Sequence, residues 1–260
     1  TYLLGACTQA GRWLDYDGFT EGAADEWVTA YVAHALHESG RSRATQAVSL
    51  AWRALARRER AGWGWNFLQP ADADSTTWGL RLAADLDQLE SAPARDAIAF
   101  LRRHVHGDGG VATYLRDIHS EWSGGAQINA GWFEAHACVT AAAAQLDCLG
   151  PAPLDYLRRA QHPDGTWGGY WWESQAYATA LAAEALAATG YPEDTARVAR
   201  AAEAAGVLLE RAASRDGLDR RPFETALALR TGLLVPGAPP AWLGQARDSL
   251  LAGQQADGSW

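Results

Sequence analysis

The chain has 260 residues and a mass of 27.9 kDa, enough for a large buried core, and its 48% hydrophobic and 20% charged composition is that of an ordinary globular protein. A net charge of -9, a pI near 5.2 and the lack of any basic run argue against nucleic acid as a partner. No apolar run approaches the ~20 residues of a spanning helix, and no secretory leader opens the sequence, so a cytoplasmic location is expected. Cys7, Cys138 and Cys148 are odd in number and unpaired in spacing, which predicts neither a disulfide framework nor a zinc ribbon.

Glycine-rich turns, most of them carrying Trp, recur at Gly11 to Trp13, Gly62 to Trp65, Gly109 to Val111, Gly165 to Trp167, Gly217 to Leu218 and Gly258 to Trp260, about every fifty residues, room for two helices and their loops. Between them the apolar residues keep helical spacing and never alternate as strands do. In chain order the first helix of each repeat is predicted over Asp25 to Glu38, Ser75 to Glu90, Ala130 to Cys148, Ser174 to Thr189 and Pro222 to Leu234. The second helices are predicted over Arg43 to Arg60, Pro93 to His104, Pro153 to Ala160, Pro192 to Ala213 and Ala241 to Gly253. First helices such as AYATALAAEALAATG are apolar nearly all round and should be buried; second helices such as TARVARAAEAAGVLLERAA keep a charged face and should lie outside them. Asp25, Ser75 and Ser174 are the expected N-caps, Pro93 and Pro192 belong to first turns, and Gly40 and Gly190 follow helix ends.

Two turns share a stricter pattern, Q-x-x-D-G-[ST]-W, at Gln161 to Trp167 and Gln254 to Trp260. The Gln is expected to cap helix carbonyls, Asp-Gly to form a tight turn, and the Trp to cover the seam between repeats. A third segment, GWGWNFLQPADADSTTW from Gly62 to Trp78, sets Asp72 and Asp74 one residue apart before a helix start, behind a Trp-rich turn.

From roughly Arg60 to Trp260 these motifs resemble squalene–hopene cyclases and related class II terpene cyclases. The two heptads resemble that family's Q-x-x-D-G-x-W repeats. GWGW with DADSTT is similar to its GWAF and D-x-D-D-T-A, GGVATY to its GGWGAY, and YLRRAQHPDGTWGGYWW to its YL…Q-P-D-G-S-W-F-G-R-W. The resemblance implies an all-α fold, an α/α toroid of inner and outer helices, as one domain over residues 1–260. Five inner helices are found where the family has six, so a sixth is expected after Trp260 or from elsewhere.

Class II cyclases start by protonating an alkene or epoxide, which demands a carboxylic acid that is still protonated near neutral pH. Burial and a neighbouring carboxylate both push an Asp in that direction. By motif, Asp74 resembles the family's proton donor, Asp72 its companion carboxylate and His136, in EAHA, the histidine that polarises the acid. Trp65, Tyr114 and Trp171 resemble its cavity-lining aromatics, whose π faces stabilise carbocations, with Trp78 and Trp172 as neighbouring candidates. Departures from the pattern are Ser75 for the last Asp of D-x-D-D, Gln175 for a tyrosine associated with reprotonation, and Trp132 for an acidic residue four positions before the histidine.

The second toroid of the family is not covered by this chain, so the resemblance implies a smaller pocket, a homodimer or a separate second-domain subunit closing the cavity around an isoprenoid substrate. No metal and no redox cofactor are expected, with Mg²⁺ called for only by a diphosphate substrate. Two alternatives use the same fold: a non-catalytic isoprenoid-binding scaffold, and a prenyltransferase β-subunit-like enzyme, whose D-x-C plus His zinc pattern the sequence lacks. Asp72 and Asp74 could also serve only as an N-terminal capping pair.

Overall fold

The computed structural model describes residues 2–15, 22–117, 129–216, 221–237 and 240–260. The predicted turn at Gly217 to Leu218 lies outside them. The described residues form eleven α-helices and no strand beyond isolated bridges: α1 (Tyr2–Ala6), α2 (Glu26–Glu38), α3 (Thr45–Leu55), α4 (Ala73–Asp85), α5 (Ala92–Arg102), α6 (Ala137–Ala143), α7 (Ala152–Ala160), α8 (Ala176–Ala187), α9 (Pro192–Asp216), α10 (Pro222–Leu233) and α11 (Trp242–Gly253). They fall into two compact units, one of Thr1–Gly107, Val111–Ala135 and Leu146–Gly150, the other of Asp108–Gly110, His136–Gln145 and Pro151–Trp260.

In the first unit α2 and α4 pack on each other, with α3 and α5 outside them. Helix α4 is buried almost all round, as its apolar sequence predicts, while α5 buries only Ala94, Ala97 and Leu101. In the second unit α8 is likewise buried from Ala176 to Ala183 and packs against α6, α9 and α10. Helix α9 turns Val198, Ala201, Ala202, Ala205 and Leu209 inward, so the expected contrast between buried first helices and covering second helices holds within each unit.

One predicted helix is broken. Residues 130–148 form a 3-10 turn (Ala130–Phe133), an extended link, the short α6 and another 3-10 turn (Asp147–Leu149). The link is taken up by backbone pairing: Tyr114 N–H donates to Trp132 O at 3.1 Å, and Ala135 bridges Ala112. A helix there would forfeit those bonds, so helical periodicity loses to a non-local partner. Two N-caps also move. Helix α4 starts at Ala73 with Asp72 as its cap, which makes Ser75 the third residue and not the cap, and α8 starts at Ala176 behind Gln175 with no side-chain cap from Ser174. Gly40 and Gly190 follow their helices at φ +62° and +68°, as expected of glycine C-caps.

The Trp turns work differently from the expectation. In the first heptad it is the Trp167 indole, fully buried, that caps a helix carbonyl, Leu157 O at 2.8 Å, while its backbone N–H goes to Thr179 Oγ at 3.1 Å. Gln161 instead reaches across to Arg197 O on α9 at 3.0 Å. Asp164 accepts from Thr166 N and Oγ, and Gly165 takes φ +89°, where a Cβ would stand 2.5 Å from Arg200 O. Trp260 repeats the indole bond to Leu250 O at 2.8 Å, and Trp13 and Trp63 do the same to Leu3 O and Leu55 O. Thr29 and Thr76 take the backbone N–H of Trp13 and Trp63 as Thr179 takes that of Trp167.

Candidate active site

Asp72 and Asp74 sit at the amino end of α4, anchored from both sides. Asp72 N–H donates to Trp63 O at 2.9 Å and Ala73 N–H to Thr113 O at 2.9 Å, so the Trp turn and the 111–114 segment jointly place the pair. The two carboxyls then meet different surroundings. Asp72, 3% exposed, accepts Ser75 N–H at 2.7 Å on Oδ1 and Ser75 O–H at 2.8 Å on Oδ2, the bonds of an N-cap. Asp74 caps nothing. Its Oδ2 accepts the Trp27 indole N–H at 3.0 Å, and its Oδ1 is closed off from solvent with no hydrogen-bond partner among the described residues.

Burial raises both carboxyls to about 7. For Asp72 the backbone N–H and the hydroxyl of Ser75, with Arg60 behind them, oppose the rise; for Asp74 the charge of Asp72 adds to it, and only the Trp27 N–H opposes it. The anion is therefore better satisfied on Asp72 and the proton on Asp74. The capping reading fits Asp72 and fails for Asp74.

Behind the acid lies a second buried carboxylate. Glu26, 2% exposed, accepts Gly64 N–H at 2.9 Å and pairs with Arg58 and Arg60, and burial pushes its carboxyl up. This cluster ties the start of α2 to the GWGW turn and so holds Trp27 and Trp65 in place. Their rings stack at 6.0 Å, and Trp27 stacks on Tyr31 at 5.1 Å, which makes an aromatic surface beside Asp74. Tyr114 is buried and pushed well above its ordinary value, by burial first and then by the charges of Asp72 and Asp74; its ring lies 5.5 Å from that of Trp132.

Trp78 does not belong to that surface. It is fully buried, with the Tyr31 ring edge-on at 4.6 Å and the Arg81 guanidinium 4.4 Å from its centroid, so no ring face is left for a ligand. It supports Tyr31 from behind.

The remaining sequence candidates lie in the second unit. His136 is the N-cap of α6, mostly buried, with the Tyr170 ring stacked on its imidazole at 3.8 Å and 19°. Trp171 meets Tyr170 edge-on at 5.0 Å, and Trp172 stacks on Tyr177 at 4.3 Å and Phe223 at 5.1 Å. Gln175 precedes α8 with its amide 3.5 Å from His162 Nδ1.

No protein-family model and no curated protein matches the sequence. Solved structures do. A variant of the type II terpene cyclase MstE from Scytonema, in complex with its substrate geranylgeranyl dihydroxybenzoate, is 35% identical over 100% of this chain and 78% of that one, with a TM-score of 0.89. A second variant of MstE, holding the product merosterolic acid A, is 34% identical over 100% and 79%, with a TM-score of 0.88. A protein from Actinoplanes is 37% identical over 100% and 80%, with a TM-score of 0.86. This chain belongs to the type II terpene cyclase family. The cyclase is thus an enzyme with the all-α fold of that family, and the scaffold and prenyltransferase readings give way to terpene cyclisation.

Sequence reasoning missed two features of the cyclase. Trp27, the hydrogen-bond partner of the acid, lies 47 residues before Asp74. Its signal was a Trp in the first turn of a first helix, one repeat upstream. The other is a cluster on α2 and α4 in which Arg81 Nη2 lies 3.1 Å from His34 Nε2 and His34 Nδ1 lies 2.7 Å from Asp85 Oδ2. Eleven residues along α4 from Asp74, about 16 Å at the helical rise, it is too remote for the chemistry of the acid. Among the described residues no three His, Cys, Asp or Glu side chains come together as a metal site, and no helix is long and apolar enough to cross a membrane.

Proposed function

We propose that Asp74 is the general acid of this cyclase and that it protonates the terminal alkene, or an epoxide, of a linear polyprenyl chain. The observation that carries the reading is the asymmetry of the pair: Asp72 has a backbone N–H and a hydroxyl to hold a negative charge, whereas Asp74 Oδ1 is buried without a partner. The proton leaves Oδ1 for the alkene carbon, a carbocation forms on the chain, and the new Asp74 carboxylate is met by the Trp27 N–H on Oδ2. Ring closure follows as internal alkenes attack the cation, a proton is lost from the final cation, and solvent returns one to Asp74. The aromatic faces of Trp65, Trp27, Tyr31 and Tyr114 stabilise the cation without offering a nucleophile. Trp171, Trp172, Gln175 and His136 extend the proposed site, His136 as the group that orients the acid.

No redox cofactor is required by these steps. The likeness to MstE across the whole chain supports a substrate of the same kind, a polyprenyl chain on a dihydroxybenzoate-like aromatic acid. The decisive experiment incubates the protein and its Asp74→Asn variant with geranylgeranyl dihydroxybenzoate and follows cyclic product by mass spectrometry. Loss of product with retained folding and substrate binding is expected; product at the wild-type rate would overturn the assignment.

A further inference from the structure

Helices α8, α9 and α10 leave a cavity of about 320 Å³ whose lining residues all belong to the second unit. None of the acid residues or their aromatic neighbours lines it; of the sequence candidates only Gln175 does. Its walls are short apolar side chains, Ala176 from α8, Ala205, Leu209 and Ala212 from α9, and Ala228 from α10. The two wall hydroxyls are already committed, Thr179 Oγ accepting Trp167 N–H and Thr231 Oγ donating to Leu227 O, so the interior makes no demand for a polar guest.

Burial gives the cavity a direction. Ala176, Ala205, Leu209 and Ala228 are buried, whereas Arg211 and Glu173 are exposed and Gln175, Arg221 and Glu224 half-buried, so the charged residues mark its open end. Arg221 pairs with Glu224 at 3.4 Å. The first turns of α8 and α10 also reach this rim, and their free N–H groups add positive potential to that of the guanidiniums. An apolar hollow below two arginines suits a guest with a hydrocarbon body and an anionic end, because the guanidinium fork binds planar carboxylates in two-point fashion. The volume is about twice the ~150 Å³ of an apolar cavity that takes one benzene ring, which sets the body at two fused rings or some ten carbons.

We propose that this cavity is a second binding site of the cyclase, for a small aryl or terpenoid carboxylate. Its occupant is bound independently of the acid at Asp74.

Calorimetric titration with 2-naphthoate tests this, with 2-naphthalenemethanol as the neutral probe of equal shape. Naphthoate is expected to bind at least tenfold more tightly than the alcohol. Arg211→Gln with Arg221→Gln should remove that preference, and filling the hollow by Ala228→Phe should abolish binding of both probes. Ala212→Leu, at a half-buried wall position, provides a milder filling variant that should weaken both probes at least fivefold even if Ala228→Phe fails to fold. Asp74→Asn should leave naphthoate affinity unchanged, which keeps this result separate from the fate of the general-acid reading. Equal affinity for the two probes, or naphthoate binding untouched by Ala212→Leu, would overturn the proposal.

Discussion

Replacing Asp74 by Asn should make the protein more stable as it makes it inactive, and the size of the gain depends on pH. Burial holds the Asp74 carboxyl at about 7 against an ordinary 3.8. At ~1.4 kcal/mol per tenfold change in proton affinity, ionising it in the folded state costs about 4 kcal/mol more than in the unfolded chain. Below 3.8 both states are protonated and the wild type loses nothing. Between 3.8 and 7 only the unfolded chain releases the proton, so wild-type stability falls as pH rises, and above 7 the loss is complete. Asn carries no proton to lose, and its carbonyl still accepts the Trp27 N–H. The advantage of the variant should therefore grow from near zero at pH 4 to about 4 kcal/mol at pH 8, a gain of the kind expected where an active site is held in a strained state. Urea unfolding followed by Trp fluorescence at pH 4.5, 6 and 8 measures it. A difference that stays flat across those three pH values would refute the claim that the acid is buried and protonated, whatever the activity shows. Wild-type turnover should in turn fall above about pH 7, as the acid form disappears.

Trp27→Phe preserves the stack on Tyr31 and Trp65 but deletes the N–H that lowers Asp74, so the alkaline limit of the pH–rate profile should move up. Turnover should fall by up to about tenfold, the worth of one neutral hydrogen bond. Ser75→Ala takes the hydroxyl from Asp72 and leaves its anion short of about 1.5–3 kcal/mol of charged hydrogen bonding; the shared proton then moves toward Asp72, and kcat at pH 7 should drop at least tenfold with KM little changed. Gly79→Ala would set a Cβ 2.3 Å from Trp63 Cε3 in the packed interior of α4, and a thermal melt should show a loss of about 1–3 kcal/mol or more.

Much of this was legible in the sequence. The Asp pair, the glycine C-caps and most helix centres follow from local residue types, and the structure places them within a few residues of expectation. What escaped was decided by contacts far apart in the chain. Residues 130–148 read as one helix, yet Tyr114 and Ala112 claim their backbone. Ser75 looked the better cap from its hydroxyl alone, but Asp72 is fixed by Trp63 O and leaves Ser75 to serve it. Trp78 stood close enough to the acid to be read as wall, and only the packing of Tyr31 and Arg81 shows that both faces of its ring are taken. Trp27 carried no mark of its role, since an indole on a helix reads as core until its N–H is seen to end at a carboxyl.

The indole bonds of Trp13, Trp63, Trp167 and Trp260 to carbonyls of the preceding helix close each joint with atoms of its own neighbourhood. Such joints do not consult the residues that face a substrate. Wall side chains can therefore be exchanged, enlarged or stripped during evolution while the masonry stands, and a scaffold that separates mortar from lining in this way is free to acquire new products one residue at a time.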